Sequence, residues 1–282
     1  MLRAMPGFSR PNGFSLNKLL IYIILFLLAF LAIIPFLLMS SISLQENVIR
    51  GQFPIDLIPD PLVWENYSRI LTYTEIIQWF YNSMIVAVLG SALAVFNASL
   101  AGYVFARMQF PGREVLFWSF VAMLMIPIQV TLIPLYFFLG KFSWLNSYQA
   151  LLLPGVTSAF GTFLIRQYIL TVPTEYDDAA RIDGCSELGI YWRVIMPLIK
   201  PVIATLAALQ FINYWNSFLY PLIVTTKKKM YTLPVGLAIL QDTVKFTELM
   251  AATTIAFIPS FLVFLFFQRY FVSGLTMSGL KG

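Results

Sequence analysis

The feature that most constrains this chain is a run of apolar residues too long for a soluble fold. Positions 19–39 carry 21 residues without one charged side chain. About 20 such residues in a helix cross the hydrocarbon core of a bilayer. Arg3, Arg10 and Lys18 precede the run with no acid among them, and no small-residue cleavage site follows it. It therefore reads as a retained anchor helix rather than a signal peptide. Five further apolar segments follow, at about 83–106, 115–139, 148–169, 198–224 and 250–271. Backbone polar groups in lipid must be satisfied within the segment, so spans of this length are helical. The predicted fold is all-α, a polytopic bundle of six transmembrane helices. It divides into an N-terminal segment 1–18, a transmembrane domain 19–271 and a tail 272–282.

Composition narrows the function classes. Only 11% of residues are charged and 59% are hydrophobic, with a mean hydropathy of +0.80, whereas soluble domains hold about 25% charged residues. The net charge of +5 does not point to nucleic acid, because the basic residues sit mainly at the ends of apolar segments. Six spans place both termini on one side, and the basic residues choose the side. With a cytoplasmic N-terminus, eleven of the eighteen Lys and Arg residues fall inside. Lys227, Lys228 and Lys229 fall outside and are the main local objection. The single cysteine, Cys185, excludes an internal disulfide, and the chain has no histidine. The commonest metal ligand and general base is thus missing, so no metal site and no catalytic residue is predicted.

The connections differ in character. Residues 41–80 are polar and Pro-rich, with one short helix expected near Trp64 to Leu71, and read either as an external binding loop or as a plain connector. The second span is rich in small residues, including Gly90, Ser91, Ala94, Ala98 and Gly102, which let helices approach closely. Pro127 and Pro134 interrupt the third span, as gating hinges or as fixed kinks.

Between the fourth and fifth spans lies a polar island, 173–197, with six charges within thirteen positions: Glu175, Asp177, Asp178, Arg181, Asp183 and Glu187. Pro173 suits a helix start, and Thr174 with Asp177 resembles a capping box. The acids favour a helix N-terminus, Gly184 can end that helix with a positive φ, and Ser186 can cap a second one. A solvated loop is one reading of the island.

Its spacing supplies another. Asp178-Ala179-Ala180, three residues, Gly184, nine residues and Val194-Ile195-Met196-Pro197 match the cytoplasmic signature of binding-protein-dependent ABC importer permeases. That signature reads Glu-Ala-Ala, three residues, Gly, nine residues, Ile-x-Leu-Pro, and the departures are Asp178 for Glu, Val194 for Ile and Met196 for Leu. Asn66-Tyr67, the run Ala106 to Arg113, Trp215-Asn216-Ser217-Phe218, Tyr231 to Leu237, and Gln268 to Val272 with the ending Gly274-Leu275-Thr276…Lys281-Gly282 extend the likeness over roughly residues 15 to 282. The chain resembles the maltose-type carbohydrate permease with the shorter N-terminus.

That resemblance implies a permease subunit of an ATP-driven importer for a sugar, in the bacterial inner membrane with both termini cytoplasmic. It forms half of the translocation path. Expected partners are a second, homologous permease, two ATP-binding subunits, an extracytoplasmic solute-binding protein, the sugar and the lipid bilayer. No G-x-x-x-x-G-K-[S/T] occurs in the chain, so no cofactor is expected here, and ATP and Mg belong on the partner ATPase. The coupling residues are expected to be Glu175, Asp178, Ala179, Ala180, Asp183, Gly184 and Pro197, on a helix seated in an ATPase cleft. Asp178 would face an ATPase cation, and Ala179 and Ala180 would permit close approach. The tail residues Leu275, Thr276, Lys281 and Gly282 would reach the ATPase dimer.

The fifth span holds Gln210, Asn213, Tyr214, Asn216 and Ser217, neutral groups suited to a polyol. Gln210, Tyr214 and Ser217 share one face. They read as a substrate path or as hydrogen bonds between helices. A secondary carrier for a neutral polar solute remains an alternative, although it predicts ionisable groups at membrane depth. An intramembrane enzyme would need a base the chain lacks.

Overall fold

The computed structural model describes residues 16–51 and 57–276. The elements are α1 (Leu16–Ile42), α2 (Glu65–Tyr73), α3 (Ile76–Arg107), α4 (Arg113–Ala122), α5 (Ile128–Lys141), α6 (Tyr148–Leu152), α7 (Ala159–Ile169), α8 (Glu175–Ile182), α9 (Glu187–Ile190), α10 (Met196–Leu198), α11 (Lys200–Trp215), α12 (Leu219–Val224), α13 (Leu233–Leu240) and α14 (Phe246–Thr276). Among the described residues the fold is all-helical.

Three helices are long and apolar enough to cross a membrane unaided: α1, α3 and α14. Three more spans appear only if bent pairs are joined: 113–125 with 128–141, bent by 99°; 148–155 with 159–169, by 41°; and 187–198 with 200–215, by 81°. The prolines explain where the breaks fall. Pro127 drives the residue before it out of the helical region, and Ile126 sits at φ −84°, ψ 114°. Pro134, expected to interrupt the same span, lies inside α5 without breaking it. The fifth span is shorter than the expected 198–224. Its straight part stops at Trp215 with Asn216 as C-cap, and residues 219–224 form the separate α12. Pro201, in the first turn of α11, stands just after the break at Ile199.

The centre of the bundle is α3, packed against α7 and α11, with α11 in turn against α14. Its inward face is the small-residue stripe: Ala87, Ala94 and Ala98 are fully buried. A Cβ on Gly102 would stand 2.7 Å from Ile165 Cγ2 of α7, so only glycine permits this approach. Of three apolar cores among the described residues, two lie at the ends of α3. One gathers Tyr103, Ile165, Tyr191, Ile195 and Leu206 at the C-terminal end of α3, and the other Ile70, Trp79, Trp215, Leu233 and Leu249 at its N-terminal end. By contrast, α1 exposes its apolar side chains along most of its length, from Leu19 to Leu37. A helix hydrophobic all round belongs in lipid or against another chain.

Candidate functional site

The polar island folds as two short helices around a sharp turn at the C-terminal end of α3. The turn is a Schellman motif. Gly184 takes φ +80°, Gly184 N–H donates to Arg181 O and Cys185 N–H donates to Ala180 O, which satisfies the last carbonyls of α8. Ser186 then caps α9, its Oγ accepting from Gly189 N–H at 3.2 Å. Beyond α9, Tyr191–Ile195 widen into a π-helical turn. Pro197 follows at once and cannot donate to the carbonyl four residues back. The wide turn accommodates that missing donor, as π-bulges commonly do.

The N-terminus of α8 departs from expectation. Thr174 has helical backbone angles and its side chain makes no capping bond. Asp177 turns inward and meets Arg107, the last residue of α3, at 2.6 Å. The two side chains are only 6% and 2% exposed, and Arg107 Nη2 also donates to Val172 O at 2.7 Å. Asp177 Oδ1 has no hydrogen-bond partner. Burial pushes the Asp177 carboxyl up from its ordinary value, against the opposing pull of Arg107 and Arg181. Removing one member of such a pair costs about 3–5 kcal/mol, because the other is left buried and uncompensated. A second basic residue braces the same end: Arg166 reaches Glu114 at 2.7 Å and lies 4.0 Å over the Phe117 ring. By sequence alone Arg107 is one more basic residue at the end of an apolar segment, and Asp177 the partner of Thr174 in a capping box. The usable signal was an acid in the island directly beside the signature.

The remaining island residues divide by face. Ala180 is buried in the apolar core at the C-terminal end of α3, so its small side chain serves packing within the chain. This corrects the expectation that it lies on the partner-facing surface. Glu175, Asp178, Ala179, Asp183, Gly184 and Pro197 are exposed. Between the acids stand Tyr176 and Ile182, with Leu188 exposed nearby on α9 and Ile182 87% exposed. The outer surface of α8 is thus acidic with exposed apolar side chains among the charges. Asp178 already has a partner, Arg181 at 3.0 Å, and Arg181 also reaches Glu187 at 3.1 Å.

In the bundle, Gln210, Asn213, Tyr214 and Ser217 line one cavity of about 240 Å³, together with Thr131 and Tyr220. Gln210 Nε2 donates to Ser158 Oγ at 2.8 Å. The Tyr214 ring fills the space beside Gly90 and Gly155, and its buried hydroxyl has no hydrogen-bond partner. Asn216 does not line the cavity; it caps α11 and is exposed. Leu275 and Thr276 close α14. Lys281 and Gly282 lie outside the described residues. Among the described residues no group of His, Cys, Asp or Glu could hold a metal ion.

At the opposite end, neutral side chains hold backbone. Asn82 Nδ2 donates to Lys229 O and Tyr231 O, Trp79 Nε1 to Lys228 O, and Asn66 Nδ2 to Ser43 O and Gln45 O. The three lysines 227–229 therefore sit at the end of α3 remote from the island.

Residues 98–277 match the family model described as "Binding-protein-dependent transport system inner membrane component". The chain is 34% identical over 287 residues to the arabinooligosaccharides transport system permease protein AraQ of Bacillus subtilis (strain 168), covering all of both chains. It is 34% identical over 275 residues to the trehalose/maltose transport system permease protein MalG of Thermococcus litoralis, covering 95% of this chain and 98% of that one. Among solved structures, a bacterial ABC transporter involved in import of the acidic polysaccharide alginate matches with a TM-score of 0.78 at 22% identity, over 95% of this chain and 100% of that one.

Proposed function

The chain belongs to the family of binding-protein-dependent transport system inner membrane components, permeases without an ATPase of their own, and from that premise we propose that it is one half of the path of a sugar or oligosaccharide importer. The relatives' names carry the substrate class: one handles arabinooligosaccharides and another trehalose and maltose. The carrying observation is α8. It is an exposed acidic and apolar helix, locked from behind to the end of α3 by the buried Arg107–Asp177 pair.

In this reading α8 is the coupling helix. It faces the cytoplasm, as do both termini, and seats in a cleft of a partner ATPase through Glu175, Asp178, Ala179, Asp183 and Ile182. Gly184 fixes the angle to α9. ATP and Mg bind on a dimer of that ATPase. When the dimer closes, α8 moves as a rigid plug and the Arg107–Asp177 pair passes the displacement into α3. A second, homologous permease supplies the other wall of the path, and a solute-binding protein delivers sugar to the end where Asn82 and Trp79 hold residues 228–231. The neutral cavity at Gln210, Asn213, Tyr214 and Ser217 suits hydroxyl groups; the unpartnered Tyr214 hydroxyl supports that use, since buried polar atoms are normally paired. An ion-gradient carrier would need charge at mid-membrane, whereas among the described residues the buried charged side chains Arg107, Arg166 and Asp177 lie at one end.

Co-purification tests the docking. From cells producing the tagged chain, an ATP-hydrolysing subunit is expected to copurify, and Asp178→Lys is expected to lose it while leaving the permease inserted. Undiminished copurification would overturn the reading. Side is tested with an impermeant maleimide. Native Cys185 is expected to react in inside-out vesicles only, and Thr226→Cys in a Cys185→Ala background in right-side-out vesicles only.

A further inference from the structure

The outer face of α8 contains a shared cation. Arg181 Nη1 donates to Asp178 Oδ1 at 3.0 Å and Arg181 Nε to Glu187 Oε1 at 3.1 Å. Glu187 is not free to follow: its other oxygen, Oε2, accepts from the Tyr103 hydroxyl of α3 at 2.9 Å, and Tyr103 is buried to 1% exposure. The four side chains thus form one line from the exposed tip of α8 to the central helix of the bundle. The members differ in mobility. Asp178 and Arg181 are 65% and 43% exposed, so their bond is soft and open to exchange, whereas Tyr103 is fixed by packing.

In the coupling reading above, Asp178 is the carboxylate that meets a cation of the ATPase. A cation already held on one of its oxygens weakens its pull on a second. We propose that Arg181 is a displaceable occupant of Asp178: in the free permease it masks that carboxylate, and on docking it yields Asp178 to an ATPase Arg or Lys and moves wholly onto Glu187. The exchange keeps every charge paired. It also tightens the Arg181–Glu187–Tyr103 side of the line, so docking itself stiffens the link between α8 and α3. Arg181 and Glu187 are positioning residues that act through Asp178. The proposal rests on the coupling role of α8 given above.

The test is a set of titrations on the permease complex reconstituted in nanodiscs, with the ATPase subunit that copurifies with the tagged chain as probe. Arg181→Gln unmasks Asp178, and docking is expected to tighten about two- to five-fold, the range carried by exposed ion pairs. Glu187→Gln leaves Arg181 on Asp178 alone, and docking is expected to weaken by a similar factor of about two to five. Tyr103→Phe alters no charge; docking is expected to hold while solute transported per ATP falls. The opposite signs of the first two are the signature, since a purely architectural role would lower docking in both.

Two controls make the result decisive. Arg193→Gln removes an exposed positive charge of the same island that lies outside the line; a gain equal to that of Arg181→Gln would reduce the effect to net charge and overturn the proposal. In an Asp178→Asn background, Glu187→Gln is expected to have no further effect on docking. An equal effect there would also overturn the proposal, and this cycle holds even if Arg181→Gln fails to fold. Asp178→Asn docking like the parent would instead sink the coupling reading, which separates the two failures.

Discussion

The two ends of α3 are fastened by different chemistry. At its C-terminus a charge pair joins it to the island: Arg107 to Asp177 at 2.6 Å, both buried. At its N-terminus the ties are neutral and end on main chain: Asn82 on Lys229 O and Tyr231 O, Trp79 on Lys228 O, and Ser83 Oγ accepting from Leu233 N–H. Main-chain ties hold a loop whatever its side chains are, so the loop 226–231 can vary in sequence and keep its place. A charge pair demands two specific side chains. Broken from one side it costs about 3–5 kcal/mol, because the other charge is left buried, against a net worth of about 0.5–1.5 kcal/mol for one amide–carbonyl bond. The strong, specific tie stands at the end where force is proposed to enter.

The largest expected effect comes from breaking that tie on one side. Asp177→Ala strands the Arg107 guanidinium and is expected to cost about 3–5 kcal/mol. It should be read as a lowered unfolding midpoint of the purified permease and early proteolysis at 173–185. The double variant Arg107→Ala with Asp177→Ala should be less damaged than the single one, because no buried charge is left alone. Equal damage in the two would show that packing, not charge, fixes α8.

At the other end the comparable break is Asn82→Ala. It strips the contact from two backbone carbonyls and from the Tyr148 hydroxyl, which donates to Asn82 Oδ1 at 2.7 Å. The expected cost is about 2–3 kcal/mol, since orphaned buried polar groups carry about 1–3 kcal/mol. Proteolysis should open at 226–231 while the island stays protected. Trp79→Phe orphans Lys228 O and leaves a void in the buried core beside Gly236, and should cost about 2–3 kcal/mol. Opening of the island by either variant would mean that the two ends are not separately fastened.

The parts of this arrangement that were legible in the sequence are the local ones. The apolar runs marked α1, α3 and α14, the small residues marked the packed face of α3, and Gly184 and Ser186 marked the turn and the cap. Each signal lies within a few residues of the structure it sets. Arg107 and Asp177 are seventy positions apart, and each had an adequate local explanation, one as a helix-end charge and the other as a cap. Only the packing of α8 beneath α3 joins them. Likewise Pro127 and Pro134 are the same residue type in similar apolar surroundings. One ends a helix and the other rides within it. In the fifth span, hydropathy ran on past Trp215, whereas the C-cap at Asn216 ended the helix. Helical period puts Gln210 and Tyr214 of α11 on one face, and both line the cavity, whereas Ser217 reaches the same cavity from beyond the C-cap at Asn216.

A backbone change gives the sharpest contrast between the ends. Gly184 in the island and Gly51 at the other end take φ of +80° and +87°, and a Cβ added to either would meet nothing within 4 Å. Sterics with neighbours are therefore absent in both. Alanine should cost each the same backbone penalty of about 1–2 kcal/mol, that of an L-residue in the left-handed region. Asparagine, which tolerates this region, should recover part of it. Thermal unfolding should not tell Gly51→Ala from Gly184→Ala. ATPase copurification should, because only Gly184 sets the angle at which α8 is presented. Equal loss of docking in both variants would mean that global stability, rather than the geometry of the turn, governs coupling.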